Sequence, residues 1–384
     1  MFQDRLEKIR QKGIFRKLLE IEHQGKYIIQ GGKKMLNVSS NDYLGLAGLI
    51  SLREEFAEYY HTEKNIFSAS SARLLTGNYS IYNELETFLA GFDEREAGLL
   101  FNSGYHANVG ILPALASASS LILADKLIHA SIIDGISLSR AKTIRYRHND
   151  YEQLERLLHE NASKHEHVFI VTESIFSMDG DVCDLQRLVS LKKQFPNVLL
   201  YVDEAHAVGV RGATGRGVSE EQQVLQEIDI IVGTFGKALA SVGAFAITNR
   251  ELKEMMVNSV RSFIFTTALP PVNICWSKFV MEKIPFMTEE RKQLQLLQKY
   301  VSEHLPQEEV FSHIFPLLIG DSEKSIVISE RLKELGYYAL PIRPPTVPEG
   351  SARIRISLTA QMTVGEIKPL ISDLSPVPLS TRER

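Results

Sequence analysis

Between about residues 96 and 250 the chain repeats one pattern, a short apolar run followed by a longer amphipathic segment, and this alternation restricts its fold more than any other feature. Strands without a polar face must be covered on both sides, as the crossover helices of βα units do, so the pattern predicts a mostly parallel sheet in an α/β domain. The predicted strands are Ala97–Phe101, Leu121–Ala124, Thr143–Tyr146, His167–Thr172, Val198–Val202, Ile228–Gly233 and Ala244–Thr248. Ligands of open α/β sheets collect beyond the carboxyl ends of the strands, so chemistry is expected at the polar residues that close these runs. After Pro270-Pro271 come a long helical stretch, a strand over Ser312–Ile319, a helix near Ser325–Leu335 and a strand over Ala352–Leu358. The chain thus divides into an N-terminal helix and small sheet (1–45), a large α/β domain (46–255) and a smaller α+β C-terminal domain (256–384), with a mobile tail expected from Ser375 to Arg384.

Two runs end in reactive groups. The strand to Val202 leads into Asp203 and His206, and the strand to Gly233 leads into Thr234 and, in a small-residue turn, Lys237. Each alone reads as an ordinary loop polar group. Together they supply what pyridoxal 5'-phosphate (PLP) needs: a lysine to form its Schiff base and an acid to keep its ring nitrogen protonated. The pyridinium is then the electron sink for a carbanion at an amino-acid α-carbon. A phosphate site needs N–H groups and hydroxyls at a helix start, and Ser103, Gly104 and Tyr105 offer them just after Phe101. The alternative there is a plain N-cap followed by a glycine turn. Thr234 could add a hydroxyl, as could Thr266 or Thr267. His129, beyond the strand to Ala124, could stack on a pyridine ring or be a locally bonded helix-start histidine. Arg353, Arg355 and Ser357 share one face of their strand and Ile354, Ile356 and Leu358 the other, placing guanidinium groups suited to a carboxylate on the polar side.

Composition narrows the partners. A net charge of −4 provides no positive field for nucleic acid or anionic lipid, which leaves small molecules. The apolar stretch Val109–Ile133 is broken by Pro113 and Asp125, so no membrane span is expected. Cys183 and Cys275, far apart and without histidines at ligand spacing, suggest neither a disulfide nor a metal site and fit a cytoplasmic setting.

The segments SNDYLGL (40–46), SARLLTG (71–77), NSGYHAN (102–108), DKLIHAS (125–131), TESIFSMDGD (172–181), VDEAHAVGVRGATGRG (202–217) and TFGKALASVGA (234–244) resemble the α-oxoamine synthases in order and spacing, over nearly the whole chain. The resemblance implies an aspartate aminotransferase-like α/β fold (PLP fold type I), an acyltransferase activity and a homodimer. It implies Lys237 as the Schiff-base lysine, Asp203 on the ring nitrogen, His206 and Ser177 on the ring oxygen, and His129 stacked on the ring. Gly104, Tyr105 and Thr234 would hold the phosphate, with Thr266 or Thr267 reaching in from the second subunit. Arg355, assisted by Asn41, would take the amino-acid carboxylate, leaving Arg353 a structural role. Arg16 would lie near the acyl-chain entrance, and Thr346 would be a further substrate contact. The segment PIRPPTVPEGSARIRISLTA (341–360) is most similar to the branch that joins L-alanine to a pimeloyl thioester, carried on CoA or acyl carrier protein. Other branches use glycine or serine and other acyl chains. One departure is Phe67–Arg73, where serine and alanine stand in a run that is glycine-rich in the family; serine resists the backbone angles glycine tolerates.

Overall fold

Seven short strands form the large sheet: β1 (Ala97–Phe101), β2 (Leu121–Asp125), β3 (Lys142–Tyr146), β4 (Val168–Glu173), β5 (Val198–Asp203), β6 (Ile230–Thr234) and β7 (Ala244–Thr248). This computed structural model describes residues 2–11, 13–60, 66–305 and 311–374, and the expected mobile tail lies outside them. The strand order is β1-β7-β6-β5-β4-β2-β3. β7 is antiparallel to both its neighbours, while the other pairs are parallel. Every residue of β1, β2, β4, β6 and β7 is buried, as a sheet covered on both faces requires. Edge strand β3 instead exposes Lys142 and Arg145, charges that discourage pairing with another chain.

The helices α1 (Gly104–Leu115) and α2 (Ala130–Leu138) pack together. Ala107, Ile111 and Leu112 of α1 and Ile132 of α2 join Phe101, Phe169, Val171, Tyr201 and Val232 of the sheet in one buried cluster. Burying each of the larger side chains contributes roughly 1.5–3 kcal/mol, and this packing fixes where the helix starts stand over the strand ends.

The chain divides into two compact units. One comprises Ile50–Phe176 and Val182–Thr288, and the other Met1–Leu49, Ser177–Asp181 and Glu289–Arg384; the boundaries expected near 45 and 255 compare with 49 and 288 here. In the second unit a four-stranded sheet is completed by Tyr337–Tyr338, which pairs in parallel with Lys33–Asn37. The N-terminal and C-terminal segments therefore share one sheet. A three-stranded antiparallel sheet of the same unit centres on β9 (Ala352–Ser357), between β8 (Ile314–Gly320) and Pro341–Ile342. Ser177–Asp181 packs onto β8 so closely that a Cβ at Gly180 would lie 1.9 Å from the Ile314 carbonyl oxygen, and the φ of +72° there also demands glycine.

In the first unit, Ser70 of the departing run takes φ +52°, the glycine-like angle, and its N–H is held by the Ser68 hydroxyl at 3.0 Å. Serine thus adopts the left-handed conformation with local hydrogen bonding to support it.

Candidate active site

Four parallel strands close on polar residues at one edge of the large sheet: β2 on Asp125, β4 on Glu173, β5 on Asp203 and β6 on Thr234. Asp203 is buried. Its Oδ2 accepts a hydrogen bond from Asn108 Nδ2 at 2.7 Å and its Oδ1 accepts the Ala205 N–H at 2.9 Å. Asn108, on α1 in the midst of the apolar core, also donates to Ser131 Oγ at 2.9 Å and accepts from the Tyr201 hydroxyl at 2.5 Å. Ser131 Oγ in turn lies 2.8 Å from His129 Nδ1. A single amide thus ties the Asp203 carboxylate to the His129 imidazole.

His129 is the N-cap of α2, and its Nδ1 accepts the Ser131 N–H at 3.2 Å. Loss of hydration lowers its pKa; the Asp203 carboxylate opposes that, and the Lys237 cation adds to it. The ring is therefore neutral near pH 7. Both expected roles for this side chain are compatible here, since capping uses the ring edge and leaves the faces.

Lys237 Nζ lies 2.7 Å from Nε2 of the buried His206. An ammonium there donates to Nε2, which places the imidazole proton on Nδ1. The turn that presents Lys237 is held from several sides. Ala240 adopts φ +45°, strained for a residue with a Cβ, and its carbonyl accepts from Trp276 Nε1 at 3.0 Å. Ser241 N–H bonds the Phe235 carbonyl at 2.9 Å, and its hydroxyl pairs with that of Ser277 at 2.8 Å.

Ser103 is the N-cap of α1: its Oγ accepts the His106 N–H at 3.2 Å. Ser103 thus takes the plain capping role, at the helix start where a phosphate was expected. A Cβ on Gly104 would lie 4.0 Å from that of Thr234, so the helix start and the end of β6 face each other. Thr234 Oγ1 accepts the Gly236 N–H at 3.1 Å and donates to the Gly243 carbonyl at 3.0 Å. The exposed Tyr105 turns its hydroxyl to Asp134 Oδ2 at 2.6 Å. Thr266 and Thr267 stand beside the same loop, where Asn102 Nδ2 donates to Thr266 Oγ1 at 3.1 Å and to the Thr267 carbonyl at 2.8 Å.

In the other unit, all of β9 is buried, including the face expected to be polar. Burial is tolerated because the guanidinium donors are satisfied. Arg355 donates from Nε to the Ser177 carbonyl at 2.6 Å, from Nη1 to Ser357 Oγ at 2.9 Å and Asn41 Oδ1 at 3.3 Å, and from Nη2 to the Tyr43 hydroxyl at 3.1 Å. Burial raises the Tyr43 pKa, with the Arg355 charge opposing it. Arg353 pairs with Asp179 at 2.7 Å and reaches the Met178 carbonyl at 3.2 Å, so both arginines hold the 177–181 segment. Arg16 and Thr346, separated by 330 residues in sequence, meet through a 2.7 Å bond from Arg16 Nη2 to Thr346 Oγ1.

The chain matches the family model of class I and II aminotransferases over residues 33–374. Proteins provisionally named 8-amino-7-oxononanoate synthase from Haemophilus influenzae and from Neisseria meningitidis serogroup A are each 52% identical to it, the alignments covering 96% of this chain and 98% of theirs. The chain belongs to the α-oxoamine synthases. Among solved structures, a serine palmitoyltransferase from S. paucimobilis with bound PLP–myriocin aldimine is 26% identical with a TM-score of 0.88, covering 97% of this chain and 96% of that one. The 8-amino-7-oxononanoate synthase of Francisella tularensis is 29% identical with a TM-score of 0.76, covering 89% and 97%. As in the rest of this family, the α/β architecture is that of fold type I, the cofactor is PLP and the chemistry is acyl transfer.

The α-oxoamine synthase residues present fit that cofactor. Among the described residues, Asp203 forms no ion pair, so its buried carboxylate is available to a cationic ring nitrogen. Sequence reasoning missed the groups that hold these side chains. Asn108 is one such group, and the signal for it in the sequence is a lone amide among Ala107, Ile111 and Leu112. Glu204, next to Asp203, is another. It is buried and accepts from Ser174 Oγ at 2.5 Å, Ser219 N–H at 2.8 Å and Val218 N–H at 3.0 Å, fixing the loop that returns toward Gly217. Among the described residues no helix is long and apolar enough to cross a membrane.

Proposed function

We propose that this α-oxoamine synthase condenses L-alanine with a pimeloyl thioester, releasing 8-amino-7-oxononanoate, CO2 and the free thiol, and that it does so as a cytoplasmic homodimer. For the substrates, the carrying observation is the 52% identity over 96% of the chain to relatives bearing that synthase's name. For the reaction class it is Lys237 against His206, in the unit that also holds the buried Asp203. PLP supplies the electron sink that stabilises a carbanion at the alanine α-carbon and, later, the loss of CO2.

The chain's own residues do the rest. Asp203 keeps the ring nitrogen protonated, held in place by Asn108 and the Ala205 N–H. Lys237 would hold the cofactor, and its free amine would take the α-proton of alanine, with His206 orienting Nζ. The α-carbon then attacks the thioester carbonyl, a carbon–carbon bond forms and the thiolate leaves. Loss of CO2 and protonation at the same carbon complete the product. The N–H groups at the start of α1 and the Thr234 hydroxyl hold the phosphate, with Thr266 or Thr267 supplied by the second subunit. His206 and Ser177 contact the ring oxygen. Arg355 takes the alanine carboxylate, assisted by Asn41, while Arg16 and Thr346 contact the acyl substrate.

The test is thiol release by the PLP-loaded protein with L-alanine, glycine or L-serine against pimeloyl-, acetyl-, succinyl- and palmitoyl-CoA. Release confined to alanine with pimeloyl-CoA is the expected result; preference for glycine with acetyl-CoA would overturn it. Arg355→Lys loses the planar fork, and the KM for alanine is expected to rise on the order of tenfold while the KM for the thioester stays within about twofold.

A further inference from the structure

The reaction above gives Glu173 no task, yet this side chain is 3% exposed at the last position of β4. It is the register partner of Asp203 on β5. Neighbouring strands lie about 4.8 Å apart, and register partners on parallel strands point to the same face, so the two carboxyls are close neighbours in a site largely stripped of water. Among the described residues no cation pairs with Glu173, and its Oε1 has no hydrogen-bond partner. The charged and polar groups around it are Asp203 on β5, Asp125 on β2, Lys237 beyond β6 and the backbone N–H of His129. Asp125 is itself engaged by His148 Nδ1 at 2.9 Å and by the Asn149 and Leu127 N–H groups.

Two neighbouring ionised carboxylates repel strongly where water cannot screen them, and a buried carboxylate without a cation costs far more than a buried acid. Asp203 is held by two donors, and Glu173 is the one left with an unpaired oxygen. We propose that the two form a pair carrying one negative charge and one proton, with Glu173 the neutral acid, so that the cofactor's ring nitrogen meets a single charge. This rests on assigning Asp203 to that nitrogen. Burial and the Asp203 charge both favour the protonated form of Glu173, against weaker opposition from Lys237 and the His129 N–H.

Difference infrared spectra of the holoenzyme against Glu173→Gln should show a protonated-carboxyl C=O stretch in the wild type throughout about pH 6–9. Its absence overturns the proposal. In Asp203→Asn the neighbouring charge is gone, and the band should titrate away at a proton concentration at least about tenfold higher than in the wild type. An unchanged titration would also overturn the pairing, and this arm survives if the glutamine variant fails to fold. The visible pH titration of the bound cofactor gives a third readout: Glu173→Gln should leave its midpoint within about twofold in proton concentration, whereas a tenfold shift means that Glu173 carried a charge. If Asp203→Asn moves the infrared band but not the cofactor titration, the carboxyl pair stands and its assignment to the ring nitrogen falls.

Discussion

Lys237→Ala is expected to lower thiol release by about 10³-fold or more, because one amine both anchors the cofactor and moves the α-proton. The visible absorption of the lysine-bound cofactor should vanish with it. Lys237 is only partly buried and sits in a turn fixed by Phe235, Trp276 and Ser277 through backbone and neighbouring side chains. The variant should therefore fold with the circular dichroism spectrum of the wild type. Retained activity, measured after dialysis to remove loosely held PLP, would take the amine out of the reaction.

Asp203→Asn should lower kcat/KM for alanine by about 10²- to 10³-fold, the scale on which loss of a preorganised electrostatic partner is felt. An amide has nearly the shape of the carboxylate, and its oxygen can keep one of the two donors, Asn108 Nδ2 or the Ala205 N–H. What it cannot do is favour a protonated ring nitrogen. The loss should therefore fall mainly on kcat, with the KM for the thioester within about threefold of the wild type, since interactions made chiefly in the transition state appear there. An equal loss in KM for both substrates would instead indicate a collapsed site.

The strands were legible because burial on both faces writes itself as an uninterrupted apolar run: Ala97–Phe101 and Ala244–Thr248 were expected at the limits observed. Asp203 and Thr234 stand out as candidates because they close such runs directly, and Lys237 because a small-residue turn follows one of them. The supporting groups were hidden for a physical reason. Whether Asn108 bonds Asp203, or Arg16 meets Thr346, depends on packing between segments far apart in the chain, which no local pattern encodes. The polar face of β9 shows the same limit. Alternation located Arg353 and Arg355 on one side, but only the tertiary structure shows that this side is buried against Ser177 and Asp179.

The parallel pairing of Tyr337–Tyr338 with Lys33–Asn37 bears on how the protein is made. The large sheet draws all its strands from residues 97–248, so it can assemble while the ribosome is still synthesising the rest. The first strands of the chain must wait, their sheet lacking an edge until residue 338 has emerged, and closing so long a loop is slow. Segments made first are thus completed last, and until then Lys33–Asn37 presents an open strand edge that the nascent protein has to keep from other chains.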